Sequence, residues 1–212
     1  MSTMPNILPF VGQVLLLAVL LTVLLGRFVK DPRQRMVAVA VLLGSGLFLP
    51  IHGLSIAQWL RSTLGDLSII TLVVFSNILA QHLFNYKLLA PATRNSLLLG
   101  VALIGVVFYP LALGVSEFDP YQLGYSPLIM SVLLCLASII AWLRAMRGLA
   151  IILLLPLLAF NLHLLESYNL WDYLLDPILL IYALLQGLLN SRFIRFKNTG
   201  GQHEKAALGN RQ

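Results

Sequence analysis

Histidines and carboxylates are the residues of this 212-residue chain best able to move protons or hold a metal, and four of them could act together. His163 and Glu166 lie three positions apart, a spacing that puts both on one face if the segment is helical. With His52 and Asp119 they make a set of two imidazoles and two carboxylates, suited to general acid and base work or to a divalent cation at a membrane surface. These four are the candidate catalytic residues. The plainer alternative is a hydrated rim whose polar side chains cap loops. No sequence pattern names a cofactor or a resident metal.

A second group is aromatic. The stretches 116–127 and 168–177 both carry tyrosines and an Asp-Pro step. Tyr121, Tyr125, Trp171 and Tyr173 can line a groove for a lipid or lipid-linked substrate, with Arg61 on its phosphate. The alternative is an interfacial aromatic belt, with Arg61 snorkelling from a surface helix.

Other chemistries find no support. The chain has no HExxH zinc helix, no GxSxG elbow, no glycine-rich phosphate loop with its lysine, and no paired-cysteine metal site. Its single cysteine, Cys135, lies in an apolar run, so no intramolecular disulfide forms. The last apolar run lacks the lysine a retinal Schiff base needs. No ionisable group falls near the middle of a run; His82 sits towards one end, which disfavours ion or proton transport. Asn77 and Gln81, one turn apart, are the conspicuous mid-run polar pair, suited to interhelical hydrogen bonding or to a substrate path.

The elements that must position these residues follow from composition. Hydrophobic residues make up 59% of the chain and charged ones 10%, against roughly 45–50% and about 25% in soluble domains. Apolar runs approaching the roughly 20 residues that cross a bilayer recur throughout. The expected fold is an all-α polytopic transmembrane helix bundle of about seven spans, with a single domain over 1–197 and a disordered cytoplasmic tail over 198–212. The spans are expected near 7–26, 36–51, 67–83, 96–114, 127–143, 149–165 and 174–189.

Charge sets the orientation. Assigning alternate loops to alternate sides puts thirteen of the fourteen Lys and Arg residues on one side, leaving Arg61 alone opposite. By the positive-inside rule the N-terminus is outside and the C-terminus cytoplasmic. Six acids, Asp66, Glu117, Asp119, Glu166, Asp172 and Asp176, fall on the outer side. Ser126-Pro127 and Asp176-Pro177 read as capped helix starts. Ser55 is expected to cap a short amphipathic helix, with Ile56, Trp59, Leu60 and Leu64 on one face, lying flat on the outer surface. Pro156 predicts a kink in the sixth span.

The net charge of +6 is carried by loops rather than by a basic stripe with aromatics, so nucleic acid is not an expected partner. The expected partners are the lipid bilayer, a membrane protein, and a lipid or lipid-linked substrate. The sequence is read as an integral protein of a bacterial inner (cytoplasmic) membrane, acting as a noncatalytic accessory or lipid-handling component of an envelope pathway. A membrane-embedded hydrolase or transferase acting at the outer face is the alternative, and a small-molecule transporter a weaker one.

Overall fold

The computed structural model describes residues 8–48 and 53–189, and among these the chain is all-α, with no strand. The long helices are α1 (Leu8–Leu25), α2 (Pro32–Phe48), α4 (Ile69–Phe84), α5 (Pro91–Ala112), α6 (Pro127–Leu143), α7 (Arg147–Asn161) and α9 (Pro177–Leu189). Two short helices, α3 (Ile56–Leu64) and α8 (Leu170–Leu174), and a 3-10 turn (Pro120–Tyr125) fill the connections. His52 and the tail expected over 198–212 lie outside the described residues.

Helix α4 sits centrally, touching α1, α2, α7 and α8, while α6 pairs with α7. The core runs through α4, α5, α7 and α9, with Val74, Phe75, Leu97, Val101, Ile152 and Leu179 all buried. Helices α5 and α9 approach closely at Gly105, where an added Cβ would stand 2.6 Å from Leu180 Cδ1. Small residues permit such close backbone approach between apolar helices.

The outward faces are as apolar as the core. Leu99, Leu103 and Val107 on α5, and Leu128, Leu133 and Ile140 on α6, are each half exposed or more. By length and composition α5 alone among the described helices can cross a membrane; the apolar stretches Phe10–Leu25, Ile69–Phe84, Pro127–Leu143, Arg147–Asn161 and Pro177–Leu189 are shorter.

Side-chain ties join the loops into two ends of opposite charge. At the basic end the Arg35 guanidinium, buried although charged, donates to Val29 O (2.8 and 3.1 Å), Lys30 O (3.3 Å) and His82 O (3.3 Å). It thereby caps the carbonyls after α1 and those closing α4, where a cation also meets the negative helix terminus. Replacing Arg35 with Gln is expected to cost about 1–2 kcal/mol, read as a lower melting temperature. An unchanged melt would show those carbonyls to be hydrated. Nearby, Asn77 Oδ1 accepts from Leu89 N (3.0 Å), so this residue pins the α4–α5 connection.

Several boundaries differ from the sequence reading, each for a local reason. Helix α2 begins at Pro32 rather than Met36, because the Asp31 side chain accepts from Arg33 N (3.1 Å) and draws a charged first turn into the helix. Helix α7 stops at Asn161 rather than continuing to Leu165. His163 adopts a left-handed φ of 51°, and bonds from His163 N to Phe160 O and from Leu164 N to Ala159 O (both 3.0 Å) close the helix. Ser126 makes no side-chain cap on α6, contrary to expectation, whereas Asp176 does cap α9 through Leu179 N (2.8 Å). Helix α3 forms as expected, with Ser55 and Gln58 in a reciprocal capping box and Trp59 and Leu64 exposed. Helix α7 continues through the buried Pro156.

Candidate functional site

At the acidic end a cavity of about 510 Å³ opens between the α3–α4 connection, the end of α5, the 3-10 turn, and the segment 165–177. Its charged lining is three aspartates, Asp66, Asp172 and Asp176, with Ser167 beside them; its aromatic walls are Phe108, Tyr109, Tyr121 and Trp171.

Asp176 is held most tightly. The side chain is buried and its two oxygens serve two helix starts at once. Oδ1 accepts from Leu179 N in α9 (2.8 Å), and Oδ2 accepts from Ser68 N at the start of α4 (2.9 Å) and from the Thr71 hydroxyl. Ser68 Oγ in turn accepts from Thr71 N (3.2 Å). Two positive helix ends thus converge on one carboxylate, the favourable arrangement for a negative charge.

Asp172 lies on α8 and accepts from the Tyr121 hydroxyl (3.0 and 3.1 Å) and from the Ser167 hydroxyl. Burial first, and the neighbouring Asp172 charge second, push the Tyr121 phenol well above its ordinary range, so it stays protonated and donates. Beneath the pair, the buried Asn169 accepts from Trp171 N (2.9 Å) and donates to Tyr121 O (2.9 Å). Trp171 Nε1 donates to Pro120 O (2.9 Å), and its ring lies 4.4 Å from Phe108 between centroids. These bonds fix the indole as a wall.

Asp66 links the cavity to a neighbouring recess lined by Phe10, Gln58, Arg61 and Glu166. Arg61 Nε meets Asp66 Oδ1 at 2.8 Å and its Nη2 meets Glu166 Oε1 at 2.7 Å, while the guanidinium stands over the Phe10 ring at 5.2 Å. The hydrogen bonds to Asp66 and then Glu166 raise the guanidinium's pKa further, so it remains charged. Two carboxylates hold this arginine, and with Asp172 and Asp176 the cavity and its neighbouring recess carry four carboxylates to one arginine, so the region as a whole favours a cation.

The residues singled out from the sequence distribute unevenly. Tyr121 and Trp171 wall the cavity. Tyr125 packs edge-on against Tyr121 at 5.7 Å but points mostly to the surface. Tyr173 is wholly buried, its hydroxyl donating to Leu165 O (3.1 Å) and accepting from Leu165 N (3.2 Å), so it braces the segment from below instead of lining a groove. Arg61 is neutralised by its two acids and does not present a phosphate site.

Among the catalytic candidates, Asp119 accepts from Tyr121 N (2.9 Å) and caps the 3-10 turn. His163 is the exposed residue that closes α7, flanked by the rings of Phe160 and Tyr168. Since α7 has ended before it, His163 and Glu166 share no helix face. His52 is outside the described residues, among which no cluster of three His, Cys, Asp or Glu side chains could hold a metal. The double replacement His163→Ala, Glu166→Ala is expected to shift stability by no more than about 1 kcal/mol, since it removes one exposed ion pair. A larger loss on thermal melting would show that the pair carries more of the fold.

Asp66, Asp172, Asp176, Tyr109 and Ser167 were not singled out by sequence as a site. The three aspartates had only a shared side in common. No known protein family, curated protein or solved structure matches the chain. What the cavity does therefore has to be argued from its own chemistry.

Proposed function

We propose that this chain is a noncatalytic, lipid-handling protein of a bacterial inner membrane, whose acidic end faces outside and receives the ammonium group of an amine-bearing lipid headgroup. The observation that carries the reading is the convergence of Asp66, Asp172 and Asp176 with the rings of Phe108, Tyr109, Tyr121 and Trp171 on one open cavity. Carboxylates supply charge to an ammonium group, and aromatic faces add cation–π attraction of about 0.5–2 kcal/mol each. Asp176 and Asp172 already accept bonds from helix ends and hydroxyls, an arrangement suited to holding a fixed field rather than to exchanging protons during turnover.

The apolar outward faces of the helices support this reading. Six of the seven long helices, all but the central α4, expose leucine, isoleucine or valine, a surface poorly suited to water but suited to hydrocarbon. Most are shorter than the ideal span. Helices of 15–18 residues cover roughly 22–27 Å at 1.5 Å per residue, so local thinning of the bilayer and the snorkelling basic residues make up the remainder. On this reading the basic loops lie cytoplasmic by the positive-inside rule, and α3 rests on the outer surface, where its exposed Trp59 and Leu64 would meet lipid.

Calorimetry on the purified chain in detergent tests the reading. A short-chain phosphatidylethanolamine is expected to bind, and Asp172→Asn to weaken it roughly ten-fold, the value of one charge-assisted contact. Equal binding of an analogue with a hydroxyl in place of the ammonium would overturn the assignment.

A further inference from the structure

A second opening lies towards the opposite end of the molecule. A groove of about 840 Å³ runs between α1, α4 and α9, walled by Leu16, Val19, Leu20, Phe75, Ile181 and Leu185. At its basic end it is lined by Arg27, Arg94 and His82, and no carboxylate lines it among the described residues. Arg94 is held towards the groove by a bond from Nη2 to Gln186 Oε1 (2.8 Å), while its Nε is buried with no hydrogen-bond partner among the described residues.

The dimensions favour one kind of occupant. The lining extends from Leu16 in α1 to Arg27, two residues past its end, about 16 Å at the helical rise of 1.5 Å per residue. That is close to half of a hydrocarbon core about 30 Å thick, the depth of a single leaflet. An apolar trough one leaflet deep, ending in arginines without acids, complements an acyl chain that ends in a phosphate.

We infer that this groove binds an anionic phospholipid of the cytoplasmic leaflet, with its phosphate at Arg27 and Arg94 and an acyl chain along Leu20 and Leu185. The inference rests on the bilayer-spanning reading but not on the amine site at the other end. Arg94 supplies a planar guanidinium already oriented by Gln186, suited to a phosphate oxygen. The exposed Arg27 adds charge where the trough meets water.

Native mass spectrometry of the full chain, purified in mild detergent and offered phosphatidylglycerol or phosphatidylcholine of identical chains, tests this. Phosphatidylglycerol should be retained preferentially. The variant Arg27→Gln, Arg94→Gln should lower its retention about twenty-five-fold, each arginine contributing about five-fold. Leu20→Trp, at an exposed position that leaves both arginines in place, should fill the trough and displace the lipid without lowering the melting temperature. Equal retention of the two lipids, or unchanged retention in both variants, would overturn the inference. A several-fold gain in lipid on removing residues 198–212 would assign the groove to the tail, and a dimer that dissociates in Leu20→Trp would assign it to a second copy; either result overturns it. A chain that stays in the aqueous fraction without detergent would remove the spanning reading itself, whereas one that needs detergent but retains no lipid removes the groove assignment alone.

Discussion

Replacing Asp176 with alanine is expected to destabilise the folded chain by roughly 3 kcal/mol, with each of two helix caps contributing about 1 and the Thr71 hydroxyl about 1. The size follows from what one carboxylate does. It accepts from Leu179 N at the start of α9 and from Ser68 N and the Thr71 hydroxyl at the start of α4. Ser68 and Thr71 are fully buried, so water cannot take over those bonds. Asp176→Asn should lose about half as much, because an amide has one accepting oxygen and cannot serve both helices. Thermal melting in detergent distinguishes the series. Equal melts for the wild type and the alanine variant would mean that the two helix ends are held by something other than this side chain.

Gly124→Ala is the second large effect, expected at about 2–3 kcal/mol, the cost of overpacking a closed site. A Cβ at this position would stand 1.7 Å from Asn169 Oδ1, 2.6 Å from Asn169 Cγ and 2.8 Å from Trp171 Cδ1. None of these neighbours can yield easily. Asn169 is fully buried and bonded at both ends of its amide, and Trp171 is fixed through Pro120 O. Relief requires the 3-10 turn to separate from α8, which would move Tyr121 away from Asp172. The variant should therefore melt lower and also lose amine binding. Normal binding together with a normal melt would show that the turn is not held against α8 in solution.

The same residues show what could be read from the sequence. Helix α6 begins at Pro127 and ends at Leu143 as the apolar run implies, and α9 begins at Pro177, because hydrophobic length and proline at the first helical position are local signals. Polar residues that belong to a helix's first turn break that reading. Arg33, Gln34 and Arg35 look like loop by hydropathy, yet Asp31 starts α2 ahead of them. An apolar residue beyond a helix misleads in the other direction. Leu162, Leu164 and Leu165 continue the run after α7, but His163 in the left-handed region has already closed it, a conformation for which His is among the more tolerant residues.

The cavity was harder to foresee because it depends on packing order. Asp176 meets Ser68 and Thr71 across more than a hundred residues, and Tyr121 meets Asp172 across 51. Spacing along the chain carries no trace of such meetings. Sequence did carry the aromatic character of Tyr121 and Trp171 and the gathering of acids on one side. It could not show that Arg61 would turn inward onto Asp66 and Glu166, which is why the proposed ligand is cationic at this end rather than anionic.

Cys135 offers the most direct test of the membrane-spanning bundle on which the lipid readings rest. The thiol is exposed on α6 among Leu133, Leu136 and Ile139, so in water it would be open to any reagent, whereas in a bilayer hydrocarbon would cover it. A thiol in an apolar medium does not ionise and does not react. In native membranes a charged maleimide is expected to leave Cys135 unlabelled, while labelling a cysteine placed at Phe118 from the outside and one placed at Arg33 only after the membrane is opened. Rapid labelling of Cys135 in the intact membrane would contradict the lipid-facing placement of α6 and, with it, the bilayer-spanning bundle.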